Sequence, residues 1–253
     1  METIFDSFLK FDLAVFEWIQ SIQSPVLTTI MKIITTLGDD GIFFILIGLV
    51  LLVTKKFRKI GIAMLLSLLV MEVGNNLILK ELFARPRPFF IFNPEAIPLD
   101  HKYYDELLPK VQESVARMPE LAKQWVETYV YPDFVHAPSS WSFPSGHTSS
   151  AFAAMVAVFI LNKKVGIPAV IFAFLMGLSR VYVEVHYATD VIAGAIVGVV
   201  YAVIGILLTK LVFDFVAFSN FLGLSIRNTP ATPTTATIVP IPTKNVVYEI
   251  VPP

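Results

Sequence analysis

The feature that most limits this chain is its last long apolar run. Residues 188–213 are apolar apart from Asp190 near the start and Lys210 near the end. About 20 such residues cross a bilayer as a helix. Four more apolar segments precede it, at about 40–54, 60–83, 147–162 and 165–181. Composition agrees: 55% of the residues are hydrophobic, mean hydropathy is +0.71, and the charged 15% cluster between the runs. In lipid every backbone polar group must be satisfied within the segment, so such runs fold as helices. The sequence therefore predicts an all-α integral membrane bundle of about five spans. The 40–54 segment is short and must borrow residues from its flanks. Gly194 and Gly198 in the last run have the spacing that lets two helices approach closely.

The remaining segments are arranged around these spans. Residues 3–20 mix Phe, Leu and Ile with Asp6, Lys10 and Glu17, which predicts an amphipathic helix lying on the bilayer surface. No basic region precedes an apolar core there, so it does not read as a signal peptide. Ser24-Pro25 opens another helix, short and interfacial or partly inserted, over residues 25–37. Lys55, Lys56, Arg58 and Lys59 follow the first span, and Lys163 and Lys164 follow the third. The excess of cations places both turns inside the cell. The N-terminus, the polar segment 84–144 and the 182–187 turn then lie outside, in a multi-pass cell-membrane protein. Residues 1–227 form the membrane-embedded domain, with an insertion at 89–141. Residues 228–253, rich in Thr and Pro, read as a disordered cytoplasmic tail. A net charge of −1 gives no reason to expect nucleic acid, and the absence of Cys excludes thiolate chemistry.

Ionisable residues between apolar runs are costly, and three groups of them fall on the same outer side. The first is Lys80, with Arg85 and Arg87 following; cations there run against the positive-inside bias, so they are expected to serve a ligand. The second is Ser142-Phe143-Pro144-Ser145-Gly146-His147 at the start of the third span, where a helix N-terminus favours an anion. The third is Arg180, His186 and Asp190. Spaced four apart, His186 and Asp190 would share a face of one helix. Taken singly, each group also fits a blander role: snorkelling anchors, a Ser cap with a chance His, or a His–Asp pair capping a helix. Together, cations and N–H donors describe a phosphate cradle, and two histidines supply a nucleophile and a general acid. Glu72, Asn75 and Asn76 lie deeper and are expected to face other helices.

The spacing Lys80-x6-Arg87-Pro88, Pro144-Ser145-Gly146-His147 and Ser179-Arg180-x5-His186-x3-Asp190 resembles the three-part signature of the type 2 phosphatidic acid phosphatase family. The likeness covers about residues 24–213. It implies a helical membrane phosphatase that hydrolyses a lipid phosphate or an isoprenoid diphosphate such as undecaprenyl pyrophosphate. It further implies that His186 is the nucleophile and forms a phosphohistidine, that Asp190 orients it, and that His147 protonates the leaving oxygen. Lys80, Arg87, Ser145, Gly146 and Arg180 would hold the phosphoryl oxygens, and Arg85 would be accessory. No metal or other cofactor is expected, since no carboxylate cluster accompanies the three groups. The chain departs from the family in showing five spans where many members have six, and in the length of its insertion. Related vanadate haloperoxidases are soluble. A lipid-phosphate transporter or binding protein is the alternative, and the clustering of charge at one face speaks against a transport path.

Within the insertion, Leu108, Val111, Val115, Met118, Ala122, Trp125 and Tyr129 recur at alternating three and four. That predicts a helical apolar stripe, with Pro109 in its first turn and a second start or kink at Pro119. Such a hairpin would rest beside the site mouth, or else pack on itself in solvent.

Overall fold

The computed structural model of the chain describes residues 4–92, 97, 103–117 and 140–221. Among these the fold is all-helical, without a strand. In chain order the helices are α1 (Ile4–Ile22), α2 (Pro25–Leu37), α3 (Ile42–Val53), α4 (Arg58–Met71), α5 (Lys80–Phe83), α6 (Pro88–Phe92), α7 (Tyr104–Arg117), α8 (Gly146–Leu161), α9 (Lys163–Tyr182) and α10 (Ala188–Phe221). Residues 228–253, expected to be a disordered cytoplasmic tail, and the later half of the insertion stripe lie outside the described residues. Contacts divide the chain into Met1–Asp214 and Phe215–Pro253. The description below concerns the first unit.

Each of the five apolar segments is a helix. Three helical stretches are long and apolar enough to cross a membrane: Arg58–Phe92, Lys163–Tyr182 and Ala188–Ser219. The short 40–54 segment gains its length from its N-terminal flank. α2 and α3 pass the same test together, bent by 47° at the break between them. At the break a 3-10 turn, Asp39–Gly41, carries two residues in the left-handed region, Asp40 (φ 51°) and Gly41 (φ 67°). α8 is apolar but shorter, at 16 residues. Large apolar side chains such as Leu46, Val50, Phe174, Ile196 and Leu211 remain exposed on the outer faces of α3, α9 and α10. An apolar surface of that extent belongs against lipid.

The centre of the bundle is α8, buried along almost its whole length. Small residues make this possible: Ala151, Ala153, Ala154 and Ala157 are fully buried, and α4 and α9 pack against them. The glycine pair on α10 meets the same helix. A Cβ at Gly198 would stand 2.6 Å from Phe152 Cβ, and one at Gly194 would stand 2.9 Å from the Ser145 carbonyl. The packing role expected of both is therefore what they perform.

A second apolar cluster gathers at one end of the bundle, where the polar residues also converge. It joins Phe89 to Phe92, Trp141, Tyr182, Val185 and Tyr187 with Leu13, Phe16 and Ile19 of α1. α1 is thus a helix, as expected, but it is docked by one buried face onto this end. The insertion joins the same cluster through Leu107 and Val111 of α7. Its first half therefore packs on the protein, not on itself. α7 starts at Tyr104, so Pro109 lies inside it and not in its first turn. Tyr103, Leu107 and Val111 secure the preceding turn despite the missing N–H, which is how packing overrides a breaker.

Candidate active site

Lys80 is set by an unusual stretch of helix. After Met71 the backbone widens into π-helical turns over Glu72–Leu79 and tightens again at Lys80. Inserted turns of this kind recur at functional sites. Asn75, buried there, donates to the Pro144 carbonyl (3.5 Å) and accepts from Ser149 Oγ (3.1 Å), tying the widened turn to the start of α8. Ala84, at φ 40°, ends α5. Pro86 and Pro88 then hold the preceding residues, Arg85 and Arg87, out of helical geometry.

The two arginines take different directions. Arg87 donates from Nε to the Ser140 carbonyl (2.7 Å) and from Nη1 to the Val185 carbonyl (2.9 Å). The same Nη1 lies 3.1 Å from His186 Nε2. A guanidinium has no acceptor, so Nε2 must present its lone pair and the ring proton must reside on Nδ1. Nδ1 faces Asp190 Oδ2 at 3.5 Å and Ser142 Oγ at 3.4 Å. Arg85 turns away from the histidine, donating to Asp190 Oδ1 (2.6 Å) and Asp12 Oδ2 (2.8 Å).

The His–Asp pair differs from the sequence expectation in one respect. His186 does not share a helix with Asp190, because α10 begins only at Ala188. Asp190 is instead the third residue of that helix, and its Oδ2 accepts from the Tyr187 backbone N–H (3.1 Å). This is the reciprocal half of a capping box, and it fixes the carboxylate beside the turn that carries the histidine. Ser142 Oγ donates to the same Oδ2 at 2.5 Å. Burial first, and the Arg87 guanidinium second, hold the His186 pKa well below its ordinary 6.5, against the opposing pull of Asp190. The imidazole is neutral.

One cavity of about 1470 Å³ collects the remaining groups. Lys80, Arg87, Arg180, Gly146, His147 and His186 all line it. Ser145 and Asp190 stand behind its wall: both are fully buried, and the Ser145 hydroxyl accepts from Thr148 Oγ1 (3.0 Å). Lys80 Nζ donates to Ser140 Oγ (3.2 Å) and would meet a Cβ at Gly146 at 3.4 Å, so that glycine keeps the cation close to the helix start. Arg180 donates from Nη1 to Thr35 Oγ1 of α2, while its Nε is buried without a partner. His147 Nε2 is 3.0 Å from Asp39 Oδ1, in the break between α2 and α3. Glu72, Asn76 and Glu81 are on the cavity wall as well. Thus six of the eight expected residues line the cavity, and Asp190 stands 3.5 Å from one of them, His186. Asp12, Asp39, Thr35 and Ser140 carry no signal in the sequence that would single them out, and Ser142 opens the Ser142–His147 stretch without a role assigned to it.

A family model, that of the PAP2 superfamily, matches residues 42–214. The chain belongs to the PAP2 superfamily. Its relatives in the family are membrane lipid phosphatases. An undecaprenyl-diphosphatase of Sulfolobus acidocaldarius is 28% identical over 191 residues, which cover 75% of this chain and 74% of that one. The undecaprenyl-diphosphatase BcrC of Bacillus subtilis is 44% identical over 59 residues, 23% of this chain. Phosphatidylglycerophosphatase B of the same species is 41% identical over 93 residues, 31% of this chain. The match spans only 31% of BcrC and 45% of phosphatidylglycerophosphatase B. Among solved structures, the transmembrane PAP2-type phosphatidylglycerolphosphate phosphatase of Bacillus subtilis superposes with a TM-score of 0.55 at 26% identity, covering 83% of this chain and 88% of that one. The helical membrane architecture is accordingly that of a PAP2 protein.

Proposed function

We propose that this PAP2 protein hydrolyses a lipid phosphate or an isoprenoid diphosphate through a phosphohistidine on His186. The observation that carries the reading is a pair of groups in one cavity: the lone pair on His186 Nε2, held only by Arg87 Nη1 at 3.1 Å, and the buried Nε of Arg180, which has no partner among the described residues. A buried donor without an acceptor is costly, and a phosphoryl oxygen is the acceptor that the surrounding cations select. In this reading Nε2 attacks phosphorus, and the bond to the leaving oxygen breaks in line. His147 gives that oxygen its proton. Water then gives a proton back to His147 and its oxygen to phosphorus, the P–N bond breaks, and phosphate leaves with the His186 imidazole neutral again. Lys80, Arg87 and Arg180 supply the charge that stabilises the transferring group, with the N–H groups at the start of α8. Arg87 passes from Nε2 to a phosphoryl oxygen as phosphorus enters between them. Asp190 and Ser142 keep Nδ1 protonated and oriented. Ser145 shapes the turn from behind the wall.

The cavity exceeds what a phosphate needs, and Ile45, Leu65, Leu68, Leu69 and Leu77 line it too. That suits a ligand whose head is anionic and whose tail stays with lipid. The deciding measurement is phosphate release in detergent from phosphatidate and from a prenyl diphosphate, for the native chain and for His186→Ala. The native chain should turn over in excess EDTA and be inhibited by orthovanadate, and H186A should be inactive. Activity abolished by EDTA and restored by Mg²⁺, or an active H186A, overturns the reading.

The basic turns support an orientation with cations inside and the cavity outside. A cysteine in place of Ser21, exposed near the cavity end, should react with an impermeant thiol reagent on intact cells, and one in place of Lys56 should not. The reverse pattern puts the site in the cytoplasm.

A further inference from the structure

A buried chain of charge leaves the cavity wall and ends on α1. Arg85 bridges two carboxylates, Asp190 Oδ1 at 2.6 Å and Asp12 Oδ2 at 2.8 Å. Asp12 is fully buried, although α1 reads from sequence as a surface helix. Its Oδ1 accepts from the Thr189 backbone N–H (2.9 Å), and its Oδ2 also accepts from Thr189 Oγ1 (2.8 Å). The Arg85 guanidinium lies over the Tyr187 ring, 3.7 Å from its centroid. Asp12 therefore grips the first turn of α10 on both sides of the residue that leads to Asp190. It also stands outside residues 42–214, the part that the family model matches.

We infer that Asp12 is a positioning residue for the nucleophile, acting through Arg85 on Asp190; this rests on the reading of His186 as the nucleophile. A guanidinium facing a single carboxylate settles in a bidentate fork across both oxygens. In that pose Arg85 would compete for Asp190 Oδ2, the oxygen that faces His186 Nδ1. A second carboxylate takes one arm of the fork, so Arg85 reaches only Oδ1. Oδ2 is left to Ser142, Tyr187 N–H and His186. Charge works in the same direction. With Asp12 the three groups carry a net −1 beside the imidazole, and that favours the positive ring formed when Nε2 takes the phosphoryl group. With Asp12 neutral, Arg85 would cancel Asp190. Buried partners of this kind matter because little water screens them.

His186 also feels Arg87 and Arg180; Lys80, Glu72 and Glu81 line the same cavity, and Glu184 precedes His186 by two residues in the turn after α9. Asp190 faces His186 from α10, with Tyr187 just before that helix, and Lys32, Asp39, Asp40 and His147 line the same cavity. A change at Asp12 removes none of these groups, and it reaches His186 only through Arg85 and Asp190. Asp12→Asn should lower kcat by about 10–100-fold, as loss of a histidine's outer partner does in metal sites. KM should change little, and the acid limb of kcat/KM should move to lower pH, since a negative charge near His186 is gone. Arg85→Gln should move that limb the opposite way, and adding D12N to R85Q should cost little further kcat. A role confined to holding α1 in place would lower the folded fraction without moving the limb. If D12N does not fold, Asp12→Glu replaces it: it keeps the charge but displaces it, so kcat must fall. Native kcat in folded D12N, or in D12E where D12N is unfolded, overturns the inference, as does an unmoved limb in D12N. An active H186A would instead overturn the reading beneath it, which separates the two failures.

Discussion

His147 Nε2 and Asp39 Oδ1 are 3.0 Å apart, across a junction that brings the start of α8 against the break between α2 and α3. Contact there is tight. A Cβ on Gly38 would stand 2.5 Å from His147 Cδ2, so only glycine lets the ring lie against the break. The carboxylate orients the imidazole and pairs with its proton, as the partner of a general acid should.

This gives the first prediction. Removing a general acid costs about 10²–10⁴-fold, and only when the leaving group needs the proton. His147→Ala should therefore slow a lipid phosphate far more than p-nitrophenyl phosphate, whose leaving group is stable as an anion. Asp39→Asn and Gly38→Ala should show the same bias, less strongly. Equal slowing of both substrates in H147A would remove the general-acid role.

The second prediction concerns pH. Only neutral His186 can attack, so its protonation sets the acid limb of kcat/KM. Burial and Arg87 lower its pKa well below the ordinary 6.5, so protonation is delayed to lower pH. Activity should thus hold as pH falls through 6.5 and fail only beneath it. A profile of kcat/KM on a soluble ester checks this, and an acid limb centred at or above 6.5 contradicts it.

Arg180 supplies the third. Its Nη1 is anchored on Thr35, and its Nε is buried without an acceptor. Arg180→Lys keeps a charge but loses the planar fork. Removing one preorganised donor to a developing anion costs about 10²–10³-fold in kcat. A comparable fall in kcat/KM is expected for R180K, with Thr35→Val milder because it frees the fork without removing it. Native kcat/KM in R180K would show that Nε holds no phosphoryl oxygen.

The bundle was legible in the sequence because lipid leaves a chain few choices. Apolar runs had to be helices, and Lys80, Arg87, Arg180 and His186 stood out against them. What could not be read were the partners. Asp12 looked like one more polar residue on a surface helix, because nothing local says that Leu13, Phe16 and Ile19 bury their face at the cavity end. Asp39 carries no mark in the sequence because its partner is 108 positions away. Ser145 fits the motif as a phosphate ligand, yet its hydroxyl is bonded to Thr148. The His186–Asp190 spacing suggested one helix, and the turn at Tyr187 replaces it with a cap. In each case packing between distant elements decides what spacing leaves open.

The last prediction concerns the insertion. Its helix α7 packs behind the site wall. Leu107 and Val111 are buried in the cluster that also holds Tyr182 and Val185, the neighbours of Arg180 and His186. Tyr103, just before α7, lines the cavity and donates to Glu81 Oε1 (2.6 Å). Trp141 Nε1 donates to the other oxygen of Glu81 (3.3 Å), and Lys110 lies over the Trp141 ring. Glu81 follows Lys80 directly, so the insertion is clasped beside the cradle. Two substitutions separate its structural part from its selective part. Leu107→Ala leaves a cavity in a packed cluster and should cost about 2–5 kcal/mol in unfolding experiments. Glu81→Gln keeps the size of the side chain but weakens the clasp, with little loss of stability. It should change the preference among lipid phosphates differing in headgroup and leave p-nitrophenyl phosphate hydrolysis near native. If E81Q retains the native lipid preference while L107A unfolds early, α7 is a brace for the core and not a selector of substrates.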